Sequence, residues 1–305
     1  MSNLPYLNDG RVDALLNVRD CISVLDEAFA DLARGRAAVH VRNRTDCDAT
    51  KLSTMGGLWT ARGVAGIKAY PTVEGQFSFL VTLFDTHVNR PLALLEANAL
   101  TRLRTTALTC LVAQKAMQPV VQKLALFGAG LQGRAQAEAL CSLFRFSEVA
   151  VVDPQGDDAW CARLALSHGC RVSLSEAEPA VRRADLVVTA TRSKVPVFDG
   201  SWLSSGALVV AMGTSLPNGR ELDDTTLSRA AQVLVEYLPQ SRFEAGEVVL
   251  GLQSCAIDEV RLADLPALYR GDRPWRASTD DIVVFKSVGI GLADVACAWL
   301  AVQRS

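Results

Sequence analysis

The stretch KLALFGAGLQGRAQ, Lys123 to Gln136, reads as a short apolar strand, a glycine-rich turn and the first residues of a helix. The turn is Gly128-Ala129-Gly130-Leu131-Gln132-Gly133. In this arrangement Gly128 permits a tight turn, Gly130 lets the backbone approach a pyrophosphate, and Gly133 allows the helix to pack closely. The free N–H groups of the first helical turn favour phosphate charge. An acid, Asp153, ends the next strand-like run, EVAVVD, about 20 residues past Gly133, where a carboxylate holds the hydroxyls of an adenosine ribose. A glycine fingerprint alone is a weak signal and also occurs as a structural turn. With a strand before it, a helix after it and the acid in place, it predicts a dinucleotide site. Gly128, Ala129, Gly130, Leu131, Gln132 and Asp153 are the expected ligands. Asp153 is followed by Pro154, Gln155 and Gly156 rather than an arginine. NAD, as NADH, is therefore expected in preference to NADP, since a carboxylate repels a 2′-phosphate.

Downstream of this turn, strand and helix patterns alternate. Strands are expected at Lys123–Gly128, Glu148–Asp153, Arg171–Leu174, Asp185–Thr191, Ala207–Gly213 and Gln232–Glu236. Helical patterns lie between most of them, including Leu131–Phe144 and Asp158–Ser167. Such alternation predicts an α/β, Rossmann-type, doubly wound parallel sheet. Ligands bind at the carboxyl edge of such a sheet. Thr189 and Thr191, which end the fourth strand, and Gly213, which ends the fifth, are cofactor candidates there. Strand-end hydrogen bonding is an equally good reading of the two threonines.

Upstream the rhythm differs. Val18, Cys21, Ile22, Leu25, Phe29 and Leu32 recur at helical spacing until Gly35. Strand-like stretches then follow at Ala37–Arg44, Gly63–Ala69, Phe77–Phe84 and Pro91–Glu96, before a helix expected from about Thr105 to Met117. Residues 1–118 therefore read as a smaller α+β domain, and residues 119–289 as the dinucleotide-binding domain. The apolar stretch Ser287–Val302 predicts a last helix that returns to the first domain, which would then include residues 290–305.

Half of the 305 residues are hydrophobic and 21% are charged, enough apolar material for buried cores. A net charge of -2 offers no field for collecting nucleic acid or an anionic membrane surface. The beginning, MSNLPYLNDGRVDALL, has no apolar core of a leader peptide, and no apolar run reaches membrane-spanning length. A soluble, cytoplasmic protein is expected. The eight cysteines form no C-x-x-C pair and the three histidines show no metal-ligand spacing, so no metal is expected. Chemistry must then come from Lys, Arg, Ser or Asp, or from a bound cofactor.

Three basic positions stand out upstream. Arg104 precedes Thr105 and Thr106 near the expected helix start, where a guanidinium beside free N–H groups suits a carboxylate. Lys68 interrupts the apolar run VAGIKAYP and either snorkels to solvent or points into a site. HVRNRTD carries Arg42 and Arg44, which alternate on one side of a strand, so both are candidates to contact a substrate.

GIKAYP (66–71), RLRTTALT (102–109), FGAGLQGRAQ (127–136), GTSLPNGRELDD (213–224) and VFKSVGIGLADVA (284–296) occur in this order. Together they resemble the ornithine cyclodeaminase/μ-crystallin family over most of the chain. The resemblance implies an N-terminal substrate-binding and dimerisation domain, joined by the C-terminal helix, around a central NAD(P)-binding domain. It marks Lys68 as the active-site lysine, Arg104 as a substrate-carboxylate ligand and Arg42 or Arg44 as a second substrate contact, and it places Thr105 with the cofactor-binding residues. Family cyclodeaminases carry an acid in G-x-D-x-P-G-K-x-E-L-D. Here Ser215 stands in the acid's place and Gly219 in the lysine's. Cyclodeamination benefits from a carboxylate that binds and deprotonates the distal amine, whereas reduction of an imine needs only hydride, a carboxylate clamp and a proton source. The resemblance thus implies an NAD(P)-dependent reductase of a cyclic ketimine such as a pyrroline-2-carboxylate, with Ser215 in its site, acting as a homodimer. Ornithine cyclodeaminase, an amino-acid dehydrogenase and a non-catalytic NAD(P)H-binding protein are the alternatives.

Overall fold

A computed structural model describes residues 4–305, which form two compact units, residues 4–111 with 289–305 and residues 112–288. The sequence reading put these boundaries at 118/119 and 289/290.

The first unit begins with β1 (Tyr6–Leu7), α1 (Asp9–Leu15) and α2 (Val18–Ala33). α2 starts where the Asn17 side chain accepts from the Asp20 N–H at 3.0 Å. It buries Cys21, Ile22, Leu25 and Phe29, the stripe expected from their spacing. The strands are β2 (Ala37–Cys47), β3 (Thr50–Trp59), β4 (Val64–Val73), β5 (Gln76–Phe77), β6 (Leu80–Asp85) and β7 (Arg90–Glu96). They form a sheet in the order β1-β7-β6-β4-β3-β2, with β5 pairing β4. All pairs are antiparallel except β1 with β7. α3 (Asn98–Ala116) follows.

The C-terminal helix, Gly291–Gln303, packs on β2, β3 and β4 and on α2. The approach to β3 is a backbone contact. A methyl group on Gly291 would lie 2.1 Å from the Gly56 nitrogen, and one on Gly57 would lie 2.9 Å from the Leu292 Cα. Strand alternation places Met55, Trp59, Lys68, Val81 and Leu83 on this covered face, all of them buried. Leu52, Leu58, Leu80 and Phe84 lie on the opposite face and are exposed.

The second unit alternates strand and helix: β8 (Lys123–Phe127), α4 (Leu131–Leu143), β9 (Glu148–Val152), α5 (Asp158–His168), β10 (Arg171–Leu174), α6 (Ala177–Val181), β11 (Leu186–Thr189), β12 (Leu208–Ala211), α7 (Asp224–Arg229), β13 (Ala230–Val235), α8 (Leu238–Glu244), α9 (Gly246–Gln253), β14 (Leu262–Asp264), α10 (Leu265–Arg270) and β15 (Ile282–Lys286). The sheet is parallel throughout, in the order β10-β9-β8-β11-β12-β15-β13-β14. The chain moves outward from β8 to β10 and then returns to β11 on the other side of β8. The crevice between β8 and β11 is therefore the switch point of a doubly wound sheet.

Five local expectations are corrected. α3 starts at Asn98, not near Thr105, because residues 98–104 continue the helix after β7 without a break. β3 was missed because Gly56 and Gly57 interrupt its apolar alternation; a methyl on Gly57 would meet the C-terminal helix, and one on Gly56 would strike the Gly66 carbonyl oxygen of β4 at 2.3 Å. β15 was missed because a five-residue apolar run carries no period of its own. The expected strand Phe77–Phe84 is two strands separated by Ser78 and Phe79, and the final helix begins at Gly291 rather than Ser287. Among the described residues no helix is long and apolar enough to cross a membrane.

The glycine contact makes a measurable demand. Gly291→Ala is expected to lower unfolding stability by about 1–3 kcal/mol, the usual cost of overpacking, in urea titrations. Gly10→Ala, whose methyl would meet Asn8 Oδ1 at an ordinary 3.7 Å, is the control and should cause no loss of stability.

Candidate active site

In the first unit, three basic side chains gather around one acid. Lys68, only 2% exposed, projects from β4 toward the C-terminal helix. Its Nζ donates to Thr101 Oγ1 at 2.5 Å and to Asp294 Oδ1 at 2.9 Å. It also lies 4.2 Å from the centre of the Phe79 ring. Arg104, buried on α3, donates through Nε to the same Asp294 oxygen at 3.1 Å. The Arg104 guanidinium rests against Gly289, where a methyl group would lie 2.8 Å from Nη1. Arg42 donates through Nη2 to the Gly289 carbonyl at 3.1 Å and through Nε to Met55 Sδ. Arg42 and Arg104 thus meet at Gly289, a residue with φ of 78° in the segment that precedes the C-terminal helix.

The pairing of β2 with β3 shifts register between His40 and Asn43. Such a bulge re-aims side chains, and Arg42 lies within it. Arg44 lies two residues further along β2, paired with Ser53. Thr105 is half-buried on α3 beside Arg104, and its carbonyl accepts from Thr109 Oγ1. Because α3 starts at Asn98, Arg104 has no free helix-start N–H groups beside it; its neighbour is a carboxylate instead.

Charge and burial set the protonation of this cluster. Burial, followed by the nearby Arg104 and Arg42, pushes the Lys68 ammonium down to about 8, against the pull of Asp294. Burial alone would raise the Asp294 carboxyl, but Arg104, Lys68 and Arg42 outweigh it and hold it below the usual range. Asp294 was not singled out from the sequence. Its signal was present: it is the one charged residue in GIGLADVACAWLAV.

In the second unit, the glycine turn lies at the switch point. A methyl on Gly133 would strike the Gly128 carbonyl oxygen at 1.8 Å, so the helix closes directly on the turn. Gly130 caps α4 without a side-chain hydrogen bond, and nothing lies within 4 Å of where its Cβ would be. This open, uncapped N-terminus fits a pyrophosphate. Leu131 is exposed, while Gln132 is half-buried and its Oε1 has no hydrogen-bond partner among the described residues. Asp153 accepts from the N–H of Ala129 at 2.6 Å and of Gln155 at 2.8 Å. Ala129, Gly130, Arg134, Asp153, Gln155 and Asp157 line the adjoining pocket. Arg134 is held by the Ala129 carbonyl, by Asp157 at 2.8 Å and by the Trp160 ring.

At the ends of β11 and β12, Glu221 ties two loops together. Its Oε1 accepts from the N–H and hydroxyl of Thr191, and its Oε2 accepts from the Gly213 N–H at 2.6 Å. Glu221 in turn donates its own N–H to Glu247, which pairs with Lys286 at 2.8 Å, both fully buried. Lys286 is the buried end of β15. Its Nζ also donates to the Thr214 carbonyl, next to the half-buried Ser215. Thr189 is buried at the strand end with its hydroxyl unpartnered among the described residues. Glu247 was not identified from sequence. No group of three His, Cys, Asp or Glu side chains capable of holding a metal occurs among the described residues.

Comparison with known proteins agrees with this arrangement. The profile of the ornithine cyclodeaminase/mu-crystallin family matches residues 6–305. The mouse ketimine reductase mu-crystallin is 30% identical over 220 residues, covering 72% of this chain and 67% of that protein. A delta(1)-pyrroline-2-carboxylate reductase from Colwellia psychrerythraea is 30% identical over 246 residues, covering 76% and 74%. The crystal structure of a "probable ornithine cyclodeaminase" from Bordetella pertussis superposes with a TM-score of 0.95 at 39% identity, covering 99% of this chain and 96% of that one. A family match spanning nearly the whole length, together with the glycine turn and the buried lysine–arginine cluster, establishes that this chain belongs to the ornithine cyclodeaminase/mu-crystallin family.

Proposed function

We propose that the protein is an NADH-dependent reductase of a small cyclic ketimine acid, of the pyrroline-2-carboxylate type. The observation that carries this reading is the cluster of buried Lys68 and Arg104 with half-buried Arg42, with a serine at position 215 where cyclodeaminases of the family have an acid. Arg104 and Arg42 would hold the substrate carboxylate through charge-assisted hydrogen bonds. The Lys68 ammonium would donate a proton to the imine nitrogen, and the Phe79 and Tyr70 rings near it would exclude water. The nicotinamide, when bound, supplies the hydride for the imine carbon. Gly128 to Gln132 and Asp153 would hold the pyrophosphate and adenosine ribose, with Thr189, Thr191 and Gly213 at the strand ends. Thr105 and Arg44 remain candidates for cofactor and substrate contact. Asp153 and Asp157 in one pocket favour NADH over NADPH, because each repels a 2′-phosphate.

The eight cysteines are all free thiols, as suits a reducing, cytoplasmic setting. The exposed face carrying Leu52, Leu58, Leu80 and Phe84 suits coverage by a second copy of the chain.

The deciding experiment incubates the protein with NADH and pyrroline-2-carboxylate, and separately with ornithine and NAD. NADH consumption in the first and no ammonia in the second are expected. Ammonia release from ornithine would replace this reading with cyclodeamination, the activity named for the Bordetella relative. Reduction should also be pH-dependent in a defined direction. Lys68 donates only while protonated, so kcat/KM is expected to hold below about 8 and to fall as pH rises through it. A profile flat from pH 6 to 10, values that bracket the ordinary range of roughly neutral to lysine titration, would remove Lys68 from proton donation. Ser215→Ala should retain most activity, since a hydroxyl contributes about 0.5–1.5 kcal/mol. Ser215→Asp should depress it by adding a negative charge at the position where the family's cyclodeaminases carry their acid.

A further inference from the structure

Lys68 is faced by charged or polar groups from three directions. Asp294 approaches from the C-terminal helix, Arg104 and Thr101 from α3, and Arg42 from β2, while the rings of Tyr70 and Phe79 complete its surroundings. Burial and both arginines disfavour the ammonium form. Asp294 is the one anion in this set that favours it.

The way Asp294 is used is informative. A carboxylate placed only to anchor a buried arginine would engage it through both oxygens, the strong bidentate geometry. Here Oδ1 accepts from Lys68 and from Arg104 Nε, while Oδ2 is buried and has no hydrogen-bond partner among the described residues. Arg104 therefore meets the acid through Nε alone, and both of its Nη groups lie outside that ion pair. A single oxygen sits between the two cations, keeping them apart and neutralising part of their repulsion.

We propose that Asp294 is a positioning residue that keeps Lys68 protonated and leaves the outer edge of Arg104 available for a carboxylate ligand. The role rests on the reading of Lys68 as proton donor and Arg104 as carboxylate clamp. Asp294 itself contacts no substrate in this scheme. It acts by setting the charge on one side chain and the orientation of another.

The test reads the Lys68 titration directly, without turnover. Protein labelled with ¹³Cε-lysine is titrated by NMR, with the Lys68 signal assigned by its loss in Lys68→Arg. The wild-type midpoint is expected near about 8. Asp294→Asn should lower it by about one pH unit or more, because burial and two cations then act unopposed. Asp294→Glu should restore most of the difference. An unmoved midpoint in folded Asp294→Asn would overturn the proposal and leave the acid as a structural partner. If Asp294→Asn does not fold, Arg104→Gln tests the same balance in reverse. Removing a cation that competes for Oδ1 should raise the midpoint by about half a unit, and no rise would overturn the proposal. Turnover with a ketimine can fail while this titration behaves as expected, and the converse, so the two readings are separately tested.

Discussion

The candidate site depends on a constraint of charge in a dry place. Three cations, Lys68, Arg104 and Arg42, gather around Asp294, which accepts from both Lys68 and Arg104, and Lys68 and Asp294 are almost wholly withdrawn from solvent. Taking such groups out of water costs several kcal/mol per ion, and removing one partner of a buried pair typically costs about 3–5 kcal/mol. Apolar residues of similar volume would fill the same space without that penalty. The arrangement makes better sense as chemistry than as stabilisation: two buried cations share one carboxylate oxygen, and the ammonium is pushed down to about 8.

Geometry follows from that constraint. The acid comes from the C-terminal helix, so the helix must lie close against the sheet that carries Lys68. Gly57 and Gly291 permit the approach by removing side chains where backbone meets backbone. Gly289, immediately before this helix, then receives the Arg104 guanidinium on its Cα and Arg42 on its carbonyl. The small residues and the charged ones are parts of one solution. Neither can be altered without moving the other.

The dinucleotide-binding unit uses a comparable device for a different end. Lys286 and Glu247 form a fully buried pair, and Glu247 receives the N–H of Glu221. Glu221 then fixes the loops after β11 and β12 by accepting from Thr191 and Gly213. Loops at the edge of a parallel sheet are ordinarily the mobile part of such a fold. Here buried carboxylates take up their backbone N–H groups, which holds the crevice in one shape.

Much of this was readable from sequence where the signal is local. The glycine turn with Asp153 announced the dinucleotide unit, and the 3.6-residue stripe of α2 announced its buried face. The alternation of strand and helix after Val120 predicted the parallel sheet, and the ordered motifs predicted the family. Lys68 stood out because a lysine in VAGIKAYP is chemically out of place. What escaped was set by contacts distant in the chain. β3 lost its alternation because Gly56 answers to the backbone of β4 and Gly57 to a helix more than 230 residues away, where its methyl would meet Leu292. Arg104 looked like a helix-start residue until Asp294, 190 residues later, proved to be its partner. Residue chemistry determined which side chains were candidates, since charge in an apolar run is visible in one dimension. Only the tertiary structure decided which of them share an oxygen atom, because that depends on how a strand, a helix and the last helix of the chain pack together.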